Sequence, residues 1–136
     1  MSDAKTSLVL DAWAVMALLT NEPEQGAVQS VLAQACENQD RVMMSVVNAA
    51  EIWYNIARRF SLAEAETTHA ELTDLGIEFI PADWELSRLA ADFKARHRMS
   101  LADCYAAALA RREGASLITG DREFESVEQE IEVTWI

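Results

Sequence analysis

Hydrophobic and polar positions divide this chain into two alternating kinds of segment. Short apolar runs bounded by polar or turn residues read as buried strands: Ser7–Leu10, Val42–Met44, Ile77–Ile80, Ser116–Thr119 and the weaker Glu132–Trp135. Between them, apolar residues recur at helical spacing. An apolar helix follows Asp11. After Pro23, which suits a first helical turn, Ala27, Val28, Val31, Leu32 and Ala35 repeat about one turn apart. "SVVNAAEIWYNIARRF" follows the second strand. The capping residues agree with these boundaries. Ser61 with Glu64 forms a capping box, Asp83 is placed to cap "WELSRLAADFKARH", Ser100 with Asp103 opens "LADCYAAALARRE", and Gly114 closes it. Strands alternating with helices predict right-handed crossovers and an α/β fold, its mainly parallel sheet covered by helices on both faces.

The length of 136 residues suits one domain over 1–136, and with four glycines and two prolines long flexible linkers are not expected. No apolar run reaches membrane-spanning length, and "MSDAKTS" lacks a secretory leader pattern, so a cytoplasmic protein without membrane contact is expected. Cys36 and Cys104 lack zinc-ligand spacing and read as reduced core thiols. His69 and His97 stand alone. There is no Ser–His–Asp constellation, Gly-rich phosphate loop or dinucleotide fingerprint.

The formal net charge of −12 opposes nucleic-acid binding by the surface as a whole. Its distribution changes that picture. Apart from Lys5 and Arg122, every base lies in two segments: Arg41, Arg58 and Arg59 in one, and Arg88, Lys94, Arg96, Arg98, Arg111 and Arg112 in the other. These are either solvated helix faces or an anion-binding patch on an acidic body.

Four acids carry the candidate chemistry. Asp11 and Asp121 each follow an apolar strand, and parallel strands place both at one edge of the sheet, where ligand sites form. Glu51 sits in the helix after the second strand, and Asp103 in the first turn of the helix before the fourth. Asp11 can also serve as an N-cap, Asp103 as the acid of its capping box and Asp121 as a turn residue. Glu51 is harder to explain structurally. It lies among Val46, Val47, Ala49, Ala50, Ile52 and Trp53, where an unpaired carboxylate is costly to bury and a cation would remove the cost. Oxygen donors alone select Mg²⁺ or Mn²⁺ over zinc, and such ions hold phosphate oxygens and activate water. Glu123 is placed to extend this acidic site, although an exposed loop acid is the ordinary reading, and Trp13 and Trp53 read as core packing.

In order and spacing, "LVLDAWAVMALL", "SVVNAAEIWYNIARR" and "MSLADCYAAALARREGASLITGDREF" resemble the PIN-domain nucleases, and within them the VapC-like toxins of toxin–antitoxin pairs. The resemblance covers almost the whole chain and implies a PIN-like three-layer fold. It matches Asp11, Glu51, Asp103 and Asp121 to the family's acidic cluster. It further implies a Mg²⁺- or Mn²⁺-dependent endoribonuclease, a cognate antitoxin that silences it, and a homodimer. One position departs from the family: Ala12 stands where a hydroxyl residue often follows the first Asp. Thr119 is a candidate for supplying a hydroxyl and Asn48 for orienting Glu51, though cap or surface roles are the ordinary reading of such side chains. Trp13 and Trp53 have a second reading, as the lining of a groove for an antitoxin helix. Arg58, Arg59, Arg96, Arg98, Arg111 and Arg112 are the candidates for RNA phosphate contacts. The alternative is a non-catalytic PIN-like module that binds RNA or protein, against which the four intact acids argue. A phosphoacceptor domain fits less well, lacking adjacent acids after the first strand and any lysine beyond Lys94.

Overall fold

The computed structural model describes residues 6–20 and 23–136; residues 1–5, where a leader pattern was sought, and Asn21 and Glu22 ahead of Pro23 lie outside the described residues. Five strands, β1 (Ser7–Leu10), β2 (Arg41–Ser45), β3 (Glu78–Ile80), β4 (Ser116–Thr119) and β5 (Glu132–Trp135), form one sheet in the order β3-β2-β1-β4-β5. All four pairings are parallel, with Leu8 opposite Val42 on one side of β1 and Leu10 opposite Ile118 on the other. The chain crosses the sheet through α1 (Ala12–Leu19), α2 (Gln25–Asn38), α3 (Val46–Arg59), α4 (Leu62–Asp74), α5 (Trp84–Arg96) and α6 (Leu101–Glu113), with a 3₁₀ turn over Arg122–Val127.

The period of two in each strand divides the core. Val9, Met43 and Leu117 face one side and pack with Leu86, Ala90 and Phe93 of α5 and the buried run Ala106–Ala110 of α6. Their neighbours Leu8, Leu10, Met44 and Ile118 face the other and pack with Val15, Ile52, Ile56 and Leu72 from α1, α3 and α4. Both faces of a parallel sheet are thus covered, which makes three layers. The expected strands and caps are present. Ser61 Oγ accepts the Glu64 N–H at 3.0 Å, Asp83 Oδ1 accepts that of Leu86 at 2.9 Å, and Ser100 Oγ accepts that of Asp103 at 3.1 Å. Each such cap is worth about 1 kcal/mol. Gly114 ends α6 at φ +61°, a left-handed position that a side chain would strain.

Five details differ from the expectation. β2 extends one residue further at each end and β3 begins at Glu78, while Pro23 lies in the turn before α2. Cys104 is buried, but Cys36 is exposed, as is Ala27. α2 meets the core through one stripe that includes Val28 and Ala35, and Cys36 points about 100° away from that stripe, toward solvent. No helix among the described residues is long and apolar enough to cross a membrane.

Candidate metal centre

β1 and β4 are neighbours in the sheet, so the residues that leave their C-terminal ends meet. Asp11 is 1% exposed. Its Oδ1 accepts the Ala14 N–H at 2.8 Å, capping α1, and its Oδ2 accepts the Thr119 hydroxyl at 2.6 Å. The same Thr119 oxygen accepts the Asp121 N–H at 3.0 Å. One fully buried hydroxyl therefore ties the two strand-end acids together. Asp11 is thus a cap that is also linked to Asp121 through Thr119.

Asp121 Oδ1 in turn accepts the N–H of Glu123 at 3.0 Å, which turns Glu123 back toward the sheet edge. Carboxylate oxygens of Asp103, Asp121 and Glu123 all lie within 4.8 Å of one another. Glu123 is exposed, as its loop position predicts, yet it belongs to this group. The usable signal in the sequence was its spacing two residues past Asp121, in a turn that the aspartate itself caps.

Asp103 arrives from the first turn of α6, held there by Ser100. α3 is pinned to the same turn by Asn48, which is fully buried rather than at the surface and whose amide donates to the Ala102 carbonyl at 3.1 Å. One helical turn further on, α3 carries Glu51, half-buried and near enough to Asp11 and Asp121 for their charges to interact; neither Glu51 nor Asp11 has an oxygen in the group of three. Ala12, in place of a hydroxyl residue, leaves Thr119 as the hydroxyl that meets Asp11.

Crowding and burial disfavour the charged forms of these acids. Burial is the largest cause at Asp11, whose pKa rises to about 7; bonds from Thr119 and Ala14 oppose the rise, and the charges of Asp121 and Glu51 add to it. Asp103 rises to about 8 through burial first, then a hydrogen bond with Glu123 and the charges of Asp121 and Asp11. Burial also raises Glu51, against the neighbouring Asn48 amide and with the charge of Asp121. Each is a carboxylate short of compensating positive charge.

These residues fit a divalent cation. The donors are all oxygen, with no histidine or cysteine among them, which suits a hard ion. Asn48 Oδ1 is buried without a hydrogen-bond partner among the described residues, a polar atom left over beside the acids.

The six candidate arginines do not form one patch. Arg96 pairs with Asp92 and Glu130, Arg111 with Glu130, and Arg112 with Asp83 and Glu113. Arg111 and Arg112 also stand in the last turn of α6, roughly 12 Å along its axis from Asp103. Arg58, Arg59 and Arg98 make no ion pair among the described residues. Arg58 lies over the Tyr54 ring and Arg59 over Phe60. Arg58 shares the helix face of Glu51, two turns on, and Arg98 precedes the Ser100 cap. Of the two histidines, His69 stacks on Phe79 and His97 meets Glu130 at 2.7 Å, neither in the acidic group.

Known structures share this fold. A chain of VapBC2 from Rickettsia felis, solved bound to a promoter DNA fragment, aligns with TM-score 0.79 at 13% identity, covering 96% of this chain and 99% of that one. VapC20 from Mycobacterium tuberculosis, a sarcin–ricin loop cleaving toxin, aligns with TM-score 0.74 at 19% identity, over 88% and 94% of the two chains. A chain of a toxin–antitoxin complex from Klebsiella pneumoniae aligns with TM-score 0.67 at 16% identity, over 93% and 95%. No curated protein matches the sequence significantly. At these identities the structural likeness speaks for the fold alone. The sequence carries the stronger statement: the pattern of the PIN domain runs from residue 8 in β1 to residue 130, just short of β5, and the chain belongs to the PIN domain family.

Proposed function

We propose that the chain is a Mg²⁺- or Mn²⁺-dependent endoribonuclease, the toxin of a toxin–antitoxin pair. The carrying observation is the convergence of carboxylates at one edge of the sheet: Asp103 and Asp121 beside Glu123, with the buried Asp11 tied to Asp121 through Thr119. In this reading Asp11, Glu51, Asp103 and Asp121 hold the ion, joined by Glu123. When bound, it supplies positive charge against phosphate oxygens and lowers the pKa of the attacking water. Thr119 keeps Asp11 oriented and Asn48 holds the Glu51 helix against Asp103. Of the six candidate arginines, Arg58, Arg59 and Arg98, unpaired among the described residues, contact RNA phosphates, locally offsetting a surface whose net charge is −12.

The partner reading rests on the structural neighbours, which include VapBC and other toxin–antitoxin assemblies. A cognate antitoxin would cover apolar surface and place a basic side chain among the acids, replacing the charge of the ion. A homodimer in the cytoplasm completes the proposal. The experiment is RNA cleavage by purified protein with Mg²⁺, with Mn²⁺ and with EDTA, alongside Asp11→Asn. Cleavage that needs a divalent ion and disappears in Asp11→Asn is expected. No cleavage with either ion, or equal cleavage by the variant, overturns the proposal.

A further inference from the structure

Trp13 stands two positions past Asp11 on α1, and its ring lies against Gly120, the residue between Thr119 and Asp121. A Cβ on Gly120 would fall 2.3, 2.5 and 2.7 Å from three successive carbons of the six-membered ring, Cη2, Cζ2 and Cζ3. Distances this similar put that point above the ring face, since an in-plane approach to Cη2 would leave its two neighbours much farther away. The indole is therefore laid flat on the backbone beside the acids, and only glycine admits it there.

Trp13 also lines a cavity of about 380 Å³ with Met16, Ala17, Thr20, Glu24 and Arg59. That size falls within the range of small-ligand clefts. Glu24 and Arg59 line it without pairing, to each other or to any other described residue. Nor does the Glu24 side chain cap α2, at whose N-terminus it stands. An aromatic wall with an unpaired carboxylate and an unpaired guanidinium matches a flat ligand that carries both donors and acceptors on its rim. Nucleobases have this form and stack on aromatic side chains. Guanine fits best: its N1–H and N2–H are adjacent donors for one carboxylate, and its O6 is an acceptor for a guanidinium.

We propose that this cavity is a nucleobase subsite for guanine, with Trp13 stacking on the base, Glu24 accepting from N1–H and N2–H, and Arg59 donating to O6. The assignment rests on the RNA-cleavage reading and adds base identity to it, which phosphate contacts alone do not supply. It moves Arg59 from the phosphate-binding group to the base-reading one.

The test is an NMR titration of the metal-free protein in EDTA with guanosine, adenosine, cytidine and uridine 5′-monophosphates. The indole N–H resonance of Trp13, identified by its loss in Trp13→Phe, is followed. Guanosine monophosphate is expected to saturate at least about fivefold below the other three, the lower end of what one bidentate base contact discriminates. Glu24→Gln should remove that preference, and Arg59→Gln should weaken guanosine monophosphate binding. Equal binding of all four, an unmoved Trp13 resonance, or a guanine preference surviving Glu24→Gln overturns the subsite. The readout involves no catalysis. Guanine preference in a protein that cuts no RNA with either ion would refute the nuclease and leave the subsite standing; cleavage without preference would do the reverse.

Discussion

Replacing Thr119 by valine removes one oxygen from the centre of the acidic cluster at almost constant volume. The side chain is fully buried, and its hydroxyl bridges Asp11 Oδ2 at 2.6 Å and the Asp121 N–H at 3.0 Å. Valine keeps the β-branch that suits β4, so the strand itself should persist. Lost are a hydrogen bond to a carboxylate, about 1.5–3 kcal/mol, and the partner of a partly buried N–H, about 1 kcal/mol more. At pH 8, where Asp11 with its pKa of about 7 is ionised, the expected loss is about 2.5–4 kcal/mol. For 136 residues, 1 kcal/mol corresponds to roughly 3.5 °C, so Tm should fall roughly 9–14 °C. The Thr119 bond favours the ionised form of Asp11, against burial. Its stabilisation is therefore full above pH 7 and declines as pH falls through that value, toward the about 0.5–1.5 kcal/mol of a neutral hydrogen bond. Thermal and urea unfolding in EDTA at pH 6 and pH 8, followed by circular dichroism, measures both quantities. A loss below about 1 kcal/mol at pH 8, or the same loss at both pH values, would refute the bridging role assigned to Thr119.

Asp11 and Asp103, raised to about 7 and about 8, bind protons more tightly in the folded chain, so metal-free stability should fall as pH rises from the ordinary carboxylate range to about 8. Added Mg²⁺ or Mn²⁺ should restore progressively more of it across that window; a Tm increase no larger at pH 8.5 than at pH 6 would contradict this. Gly120→Ala drives a methyl group into the Trp13 ring and should cost about 1–3 kcal/mol with a shift in tryptophan emission, and unchanged stability and emission would disprove the close packing. Glu130 is held at about 2, chiefly by its hydrogen bonds with Arg96 and then by His97, so it contributes stability above the usual carboxylate range that is lost as pH falls through about 2. Glu130→Gln should thus cost under about 1 kcal/mol at pH 7, because its arginine partners are largely exposed, and progressively less as pH falls toward about 2; a difference in unfolding that stays the same from pH 7 down to about 2 would exclude charge as its cause.

What the sequence by itself determined is local. β1, β4 and β5 end where the apolar runs end, and Ser61, Asp83, Ser100 and Gly114 act at the helix termini where they were expected. Caps and alternation depend on residues a few positions apart, so a linear reading contains the information. The parallel direction of the strands also followed, because strand–helix alternation leaves few other connections, whereas their order in the sheet did not. The tertiary structure decided which side chains meet. Thr119 and Asn48 have the polar chemistry of ordinary cap or surface residues. They became buried links because β4 lies beside β1 and α3 lies against the first turn of α6. Glu123 joined Asp121 through a turn that Asp121 itself caps, but its meeting with Asp103 depends on where α6 begins in space. The arginines, similar in the sequence, were separated by carboxylates distant along the chain: Glu130 occupies Arg96 and Arg111, while Arg58, Arg59 and Arg98 have no such partner among the described residues. Likewise Trp13 lies on Gly120 only because α1 and the end of β4 share one edge of the sheet. Charge and contact at that edge depend on distances in space, and the order of residues sets those distances only through the packing of all three layers.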